Sequence, residues 1–300
     1  MGLPYILDGV RYAGGGVKIR GVKVCDCQGF GILLNRNLSC GAGQYDYGDE
    51  LVNEISDCTV ARTLTGIKID NQVDFMLGGN ISIIGSRDYN LDIGAATSSG
   101  AGGRIHAWGA GKNNIRIFGS QHDFDYLQAD ASLGDGMVLG CDSSSIGTAV
   151  CQWNKGYGVR VTGNSNVLRH VNAYRPQAGC PGMLSIEGTF NRILTSNIDA
   201  GESCGASVFG NHTSLRGTMI HCSSNANCGI KLGTEAKPIS FCRVDATVAN
   251  WRAGGSQAPA CDLHLGEQNS ITIRHHGWAK PFSGTDSNGV RGNAVKFVEF

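Results

Sequence analysis

Several features that would point to a common class of protein are missing from this chain. No apolar run approaches the roughly 18 residues of a membrane span. No long stretch carries apolar residues at helical spacing, so a helical fold is not expected. Only 17% of the 300 residues are charged, and the formal net charge is +0. Steering toward a nucleic acid or an anionic membrane is therefore not expected. The opening "MGLPYILDGVRYAGGG" has neither the basic start nor the apolar core of a secretory signal, and it reads as the middle of a longer protein. Cysteine is not scarce, at 12 residues, yet no C-x-x-C occurs; the one close pair is Cys25 and Cys27, a poor zinc spacing. Disulfide frameworks belong mostly to short secreted chains. Here most cysteines lie in apolar stretches such as "SFCRV" and "TAVCQW", where free cysteine acts as a small hydrophobe. The expectation is reduced, buried thiols in a protein made in a cytoplasm, with no metal and no cofactor.

Glycine is abundant, with 45 residues, about double the usual share, and it marks a repeat. A glycine follows a short apolar strand at Gly119, Gly140, Gly163, Gly188, Gly210 and Gly233, at intervals of 21, 23, 25, 22 and 23 residues. Two residues before it stand Ile117, Val138, Val161, Ile186 and Val208. Five after it stand Phe124, Leu168, Ile193 and Leu215, with Ser145 in the Gly140 copy. Three after it stand Asn166 and Asn191, and a further copy at Gly266 carries Asn269. Strands this short alternate inward and outward. A turn of about 23 residues cannot bury its apolar face alone, but stacked turns can. The fold class this predicts is all-β: a parallel β-helix of roughly a dozen coils, one domain over 1–300, with corner glycines supplying positive φ and asparagines stacked in ladders. A β-sandwich, with strands every 8–12 residues, does not explain the longer period. Two intervals are longer, 34 residues from Gly85 to Gly119 and 33 from Gly233 to Gly266; these surplus residues, and those of 35–50, place inserted loops near 35–50, 86–103 and 245–260, and in a solenoid such loops gather on one face, often the binding face.

With this repeat, the chain resembles the right-handed, single-stranded parallel β-helix superfamily of pectate-lyase-like proteins, and within it bacteriophage tailspike depolymerases. The resemblance lies in the repeat architecture; neither a polygalacturonase-type carboxylate set nor a pectate-lyase calcium signature is matched. It implies a homotrimer on a virion tail, made in the host cytoplasm and part of a longer spike, that binds and cleaves bacterial capsule or O-antigen. The same fold also serves secreted lyases, glycosidases, epimerases and fructan transferases.

Register then orients the side chains. If Phe124 faces the core, Asp123 and Asp125 face outward, and residues i and i+2 on a strand are about 6.5–7 Å apart. Inverting glycoside hydrolysis needs carboxyls roughly 6.5–9.5 Å apart, so the pair is the first candidate for acid and base. His122 adjoins it, Tyr126 offers a stacking surface, and Arg169, Arg192 and Arg216 continue the stripe with groups able to hold uronate or sulfate. Asp46, Asp49 and Glu50, beside Tyr45 and Tyr47 in "QYDYGDE", form a second candidate, and Asp199 and Glu202 in "IDAGES" a third. "IRHHGW" offers Arg274 and His275 as the base of an eliminating lyase, together with His276. Trp108, Trp153 and Trp278 are candidates for sugar stacking. Hydrolase, lyase and non-catalytic receptor-binding spike all stay open.

Overall fold

The computed structural model describes residues 8–12, 16–35, 52–223, 228–250, 256–285 and 292–299. Strands stack in parallel as a β-solenoid of about ten turns, each about 24 residues long, and the described residues contain no α-helix. Among the described residues no helix is long and apolar enough to cross a membrane. Each turn contributes a strand to a 12-stranded sheet and then one to a 14-stranded sheet. Thus Ile115–Ile117 joins the first sheet and Asp123–Asp130 the second; Met137–Leu139 and Ser145–Gln152 repeat this one turn later.

The core consists of columns. In the larger sheet Phe124, Ile146, Leu168, Ile193, Leu215, Val244 and Ile271 are in register, each at most 1% exposed. In the other sheet Ile67, Leu91, Ile115, Met137, Val159, Leu184, Ala206 and Ile230 align. Each large side chain in such a column contributes about 1.5–3 kcal/mol by leaving water. Ile146, not Ser145, pairs with Phe124, so the Gly140 turn is shifted by one residue, and the apparent polar exception at Ser145 disappears.

The corners carry the asparagine ladder. The Asn166 amide N–H donates to Asn191 Oδ1 (3.0 Å), Asn191 Nδ2 donates to the Gly163 carbonyl (2.9 Å) and Asn166 Nδ2 to the Cys141 carbonyl (2.7 Å). Further along, the Cys242 amide donates to Asn269 Oδ1 and the Asn269 amide to Asn293 Oδ1. A second ladder of Asn90, Asn114 and Asn154, whose Oδ1 atoms accept the amides of Ser86, Ala110 and Ser132, lies at another corner.

The glycines behave differently from expectation. Gly119 and Gly233 do have positive φ (87° and 75°). Gly163, Gly188 and Gly210 do not; a Cβ there would lie 1.9, 1.9 and 1.8 Å from a carbonyl oxygen of the turn beneath. They are glycines because two backbones nearly touch. The left-handed corner that follows is taken by non-glycine side chains, Gln121, Ser143, Ser165, Phe190, His212, Phe241 and Gln268, with φ of 51–60°.

The loop assignments change in part. The segment 86–103 is not an insertion, because it contains the ordinary strand Tyr89–Ile93 and the start of Ala101–Trp108. Gly85 ends a strand of the larger sheet, Phe75–Ile84, so it is not equivalent to Gly119. The 35–50 segment beyond Asn35 lies outside the described residues, as do 251–255 within 245–260. The turn from Ile230 to its partner Cys261 is still a long one.

Candidate functional site

Strand alternation places Asp123 and Asp125 outward on the larger sheet, on either side of fully buried Phe124. Arg169, Arg192 and Arg216 are exposed on the same face. Strands are about 4.8 Å apart, and Arg192 lies three strands from Asp123 in its column, so the acids and guanidiniums do not form one cluster. Tyr126 is half-buried. The Arg104 guanidinium sits 5.0 Å over its ring, its hydroxyl donates to Gln128 Oε1, and burial raises its pKa. One of its faces is therefore already covered.

His122 does not belong to this outer group. It is 1% exposed and points inward, where its Nδ1 accepts the Gly100 amide (3.0 Å) and its Nε2–H donates to the Phe118 carbonyl (2.8 Å). Burial lowers its pKa, so it is a neutral corner residue and not a substrate contact. Arg274 and His275 also lie on opposite faces: Arg274 is exposed and paired with Asp245, while His275 is buried. Together they cannot act on one substrate. Trp278 is buried and unavailable for sugar stacking, whereas Trp108 and Trp153 are exposed. Tyr45, Asp46, Tyr47, Asp49 and Glu50 lie outside the described residues.

Concavity occurs elsewhere, at Asp199 and Glu202. A cleft of about 800 Å³ is lined by Arg175, Gln177 and Cys180 on one side and by Asp199, Glu202 and Ser203 on the other. A second, of about 600 Å³, shares Asp199 and Gly201 and is lined also by Asn172, Tyr174, Asn197 and His221. Asp199 is thus common to both. Asp199 pairs in register with His221 on the next strand, and Ala173 pairs with Ile198, which brings Tyr174 beside Asp199 on the strand before. Tyr174, Asp199 and His221 therefore form one outward column at the sheet's edge. Asp199 Oδ1 accepts the Gly201 amide (3.3 Å), fixing the start of the turn that carries Glu202. The Arg175 guanidinium lies 5.4 Å over the Trp153 ring. Among the described residues no group of three or more His, Cys, Asp and Glu is arranged to hold a metal ion.

Sequence reasoning reached Asp199 and Glu202 but missed Tyr174, His221 and their amide neighbours. The signal was present: Tyr174, Asp199 and His221 each stand eleven residues after Gly163, Gly188 and Gly210, so extending the register by three more pairs of residues finds the column.

Fold and site together define a parallel β-solenoid with an acid-lined polar cleft at one edge of its larger sheet. Comparison with protein-family profiles, curated proteins and solved structures finds no match for this chain.

Proposed function

We propose that the protein is a polysaccharide-cleaving β-helix, hydrolysing a bacterial surface glycan at the cleft of Asp199 and Glu202. The observation that carries this is the convergence of two carboxylates, a tyrosine, a histidine and two asparagine amides on adjoining clefts. Sugar hydroxyls are recognised by such amide, hydroxyl and carboxylate groups, and binding chemistry generally concentrates in concave sites. One carboxylic acid protonates the glycosidic oxygen as the bond to the anomeric carbon breaks. The other activates water or attacks that carbon itself, according to their separation. His221, beside Asp199 in the same column and cleft, adds a further group that can contact the substrate. Asp123 and Asp125 line neither cleft and are the second pair to test.

The setting this reading fits is a homotrimeric tailspike on a phage virion acting on capsule or O-antigen; its support is the repeat architecture. A β-eliminating lyase is the second reading, favoured by Arg175 and His221 in the clefts, since elimination uses a base and a cation against the uronate.

The test is incubation with a panel of capsular and O-antigen polysaccharides, following reducing ends and product masses. D199N and E202Q are expected to lower turnover about 100-fold or more, as loss of general acid–base catalysis does, with glycan binding retained. Full activity in both variants refutes this site, and loss in D123N and D125N instead moves it to the open face. Products absorbing as unsaturated uronates identify a lyase. Release of no product from any glycan that is bound identifies a non-catalytic spike.

A further inference from the structure

Most of the described arginines have a partner. Arg20, Arg62, Arg116, Arg160 and Arg274 pair with carboxylates. Arg87 donates to a backbone carbonyl, and Arg104 and Arg175 lie over aromatic rings. Arg169, Arg192, Arg216 and Arg243 differ. Among the described residues none of the four has an ion pair, and the one side-chain hydrogen bond is from Arg216 Nε to Ser214 Oγ. All four are exposed on the outer face of the larger sheet, one on each of four consecutive strands, Val167–Tyr174, Arg192–Gly201, Ser214–Cys222 and Arg243–Asn250. In a chain of net charge +0, this is a local band of cations, one on each strand, strands being about 4.8 Å apart, staggered between two columns: Arg192 and Arg243 are in register through Ser214, and Arg169 and Arg216 stand two positions further along their strands.

Beside the row stands a second unusual feature. Phe190, His212 and Phe241 occupy the left-handed corner of successive turns, with φ of 60°, 55° and 58°. Their rings stack face to face at 4.5 and 4.7 Å, within 10° and 4° of parallel. Phe190 is 54% exposed and Phe241 40%. Other turns carry serine, glutamine or glycine at this corner, so the fold does not require a ring there. A bulky residue at positive φ is strained, and an exposed one leaves apolar surface in water. Both costs fall on the same residues, two positions along the chain from Arg192 and Arg243. Strain of this kind accumulates at functional surfaces.

We propose that this face binds an acidic polysaccharide, laid parallel to the solenoid axis. Carboxylate or sulfate groups on successive sugars would meet the row of guanidiniums, which suit both by their planar, forked donors. The apolar C–H faces of the sugars would lie against the ridge formed by the three rings. Regular placement of one cation per strand fits a linear polymer with a repeating charge. Glu267, on the turn after Phe241, marks the end of the row. The inference rests on the glycan reading above and narrows it to uronate-bearing or sulfated chains; it concerns binding, away from the carboxylates of the cleft.

The test is affinity electrophoresis and calorimetry of the full chain with polygalacturonate and hyaluronan, against dextran as a neutral glycan and duplex DNA as another polyanion. The expected result is binding of at least one acidic glycan over dextran, weakened at least tenfold by the double substitution R192Q/R243Q and also by added salt. Asparagine adopts the left-handed conformation more readily than phenylalanine, so F190N/F241N removes the rings without new backbone strain; it should weaken binding several-fold with the melting temperature kept. K280Q, on the other sheet, should change nothing. Neither acidic glycan binding better than dextran, unchanged binding in both double variants, or DNA binding as tightly as the glycan would overturn the proposal. D199N that binds normally but does not cleave leaves this inference intact, and intact binding without any cleavage in the native protein defeats only the hydrolase reading.

Discussion

Replacing Asn191 with alanine tests the ladder that joins the turns. Asn191 is fully buried. Its Oδ1 accepts the Asn166 amide at 3.0 Å and its Nδ2 donates to the Gly163 carbonyl at 2.9 Å. Alanine leaves both backbone groups buried without that partner. Each such orphan costs about 1–3 kcal/mol, so N191A should lose roughly 2–6 kcal/mol. N191D keeps the acceptor for Asn166 but sets a carboxylate oxygen against the Gly163 carbonyl, and should fall within the same range. Asn164 is the internal control: its Oδ1 accepts the Thr189 amide and hydroxyl in an exposed setting, and water replaces it at a cost of about 1 kcal/mol or less. Urea unfolding gives the total effect. Hydrogen exchange gives the local one, because turns of a solenoid contact only their neighbours and the Asn166 amide should lose protection first. A loss below about 0.5 kcal/mol for N191A, a typical surface effect, or unchanged protection at Asn166, would refute the ladder as a stabilising device.

Three further outcomes are expected. Gly188→Ala places a Cβ 1.9 Å from the Gly163 carbonyl oxygen, which Asn191 also holds, so urea unfolding should show a loss of roughly 3 kcal/mol, the upper part of the overpacking range; Gly179→Ala, with φ of +84° and open space around it, should cost only the 1–2 kcal/mol of a left-handed alanine. Burial depresses the His122 pKa below its ordinary 6.5, so the unfolded chain binds the proton more readily; stability is complete above pH 6.5 and falls as pH drops below it, a slope that thermal melts should show and that H122N should flatten. The Cys204 and Cys228 sulfurs lie 3.1 Å apart on adjacent turns, within reach of a bond between neighbouring strands, so a thiol oxidant should link them in peptide mass spectra while native Ellman titration leaves the ten buried described thiols unreacted.

The solenoid was legible because its signal is periodic and hydrophobic. Apolar residues at Ile117, Val161 and Ile186, and again at Leu168, Ile193 and Leu215, report a core that every turn must build. Asn166, Asn191 and Asn269 were readable for the same reason, as buried amides recurring at one corner. What escaped was set by backbone geometry. No residue type distinguishes the Gly119 glycine, needed for its φ, from the Gly188 glycine, needed for space. His122 stands among charged neighbours, yet it fills an inward corner position that Ser144 and Asn166 fill in the next turns. Gly85 looked like a repeat anchor and produced a loop at 86–103 that does not exist, because short apolar strands followed by glycine occur at more than one corner.

The site was harder to read for a related reason. Outward residues do not repeat, since each turn can carry a different one without disturbing its neighbours. Asp123 and Asp125 satisfy the carboxylate spacing along one strand, but spacing along a strand says nothing about walls. Asp199 acquires its cleft from 175–181, a segment of the preceding turn, and its neighbours Tyr174 and His221 come from strands 25 residues before and 22 after it. A solenoid turns sequence distances of about two dozen residues into contacts of about 5 Å. Chemistry on such a scaffold is therefore written down columns and not along strands. Tyr174, Asp199 and His221 form one such column, and Arg192, Ser214 and Arg243 another, so substitutions that exchange neighbours within a column should preserve function better than exchanges along a strand. Moving the arginine of Arg243 to position 214, as S214R/R243S, keeps two cations in that column and should retain acidic-glycan binding; moving it along its strand to 247, as R243T/T247R, takes the cation out of the column at the same net charge. Equal losses of affinity in the two variants would show that total charge matters and alignment does not.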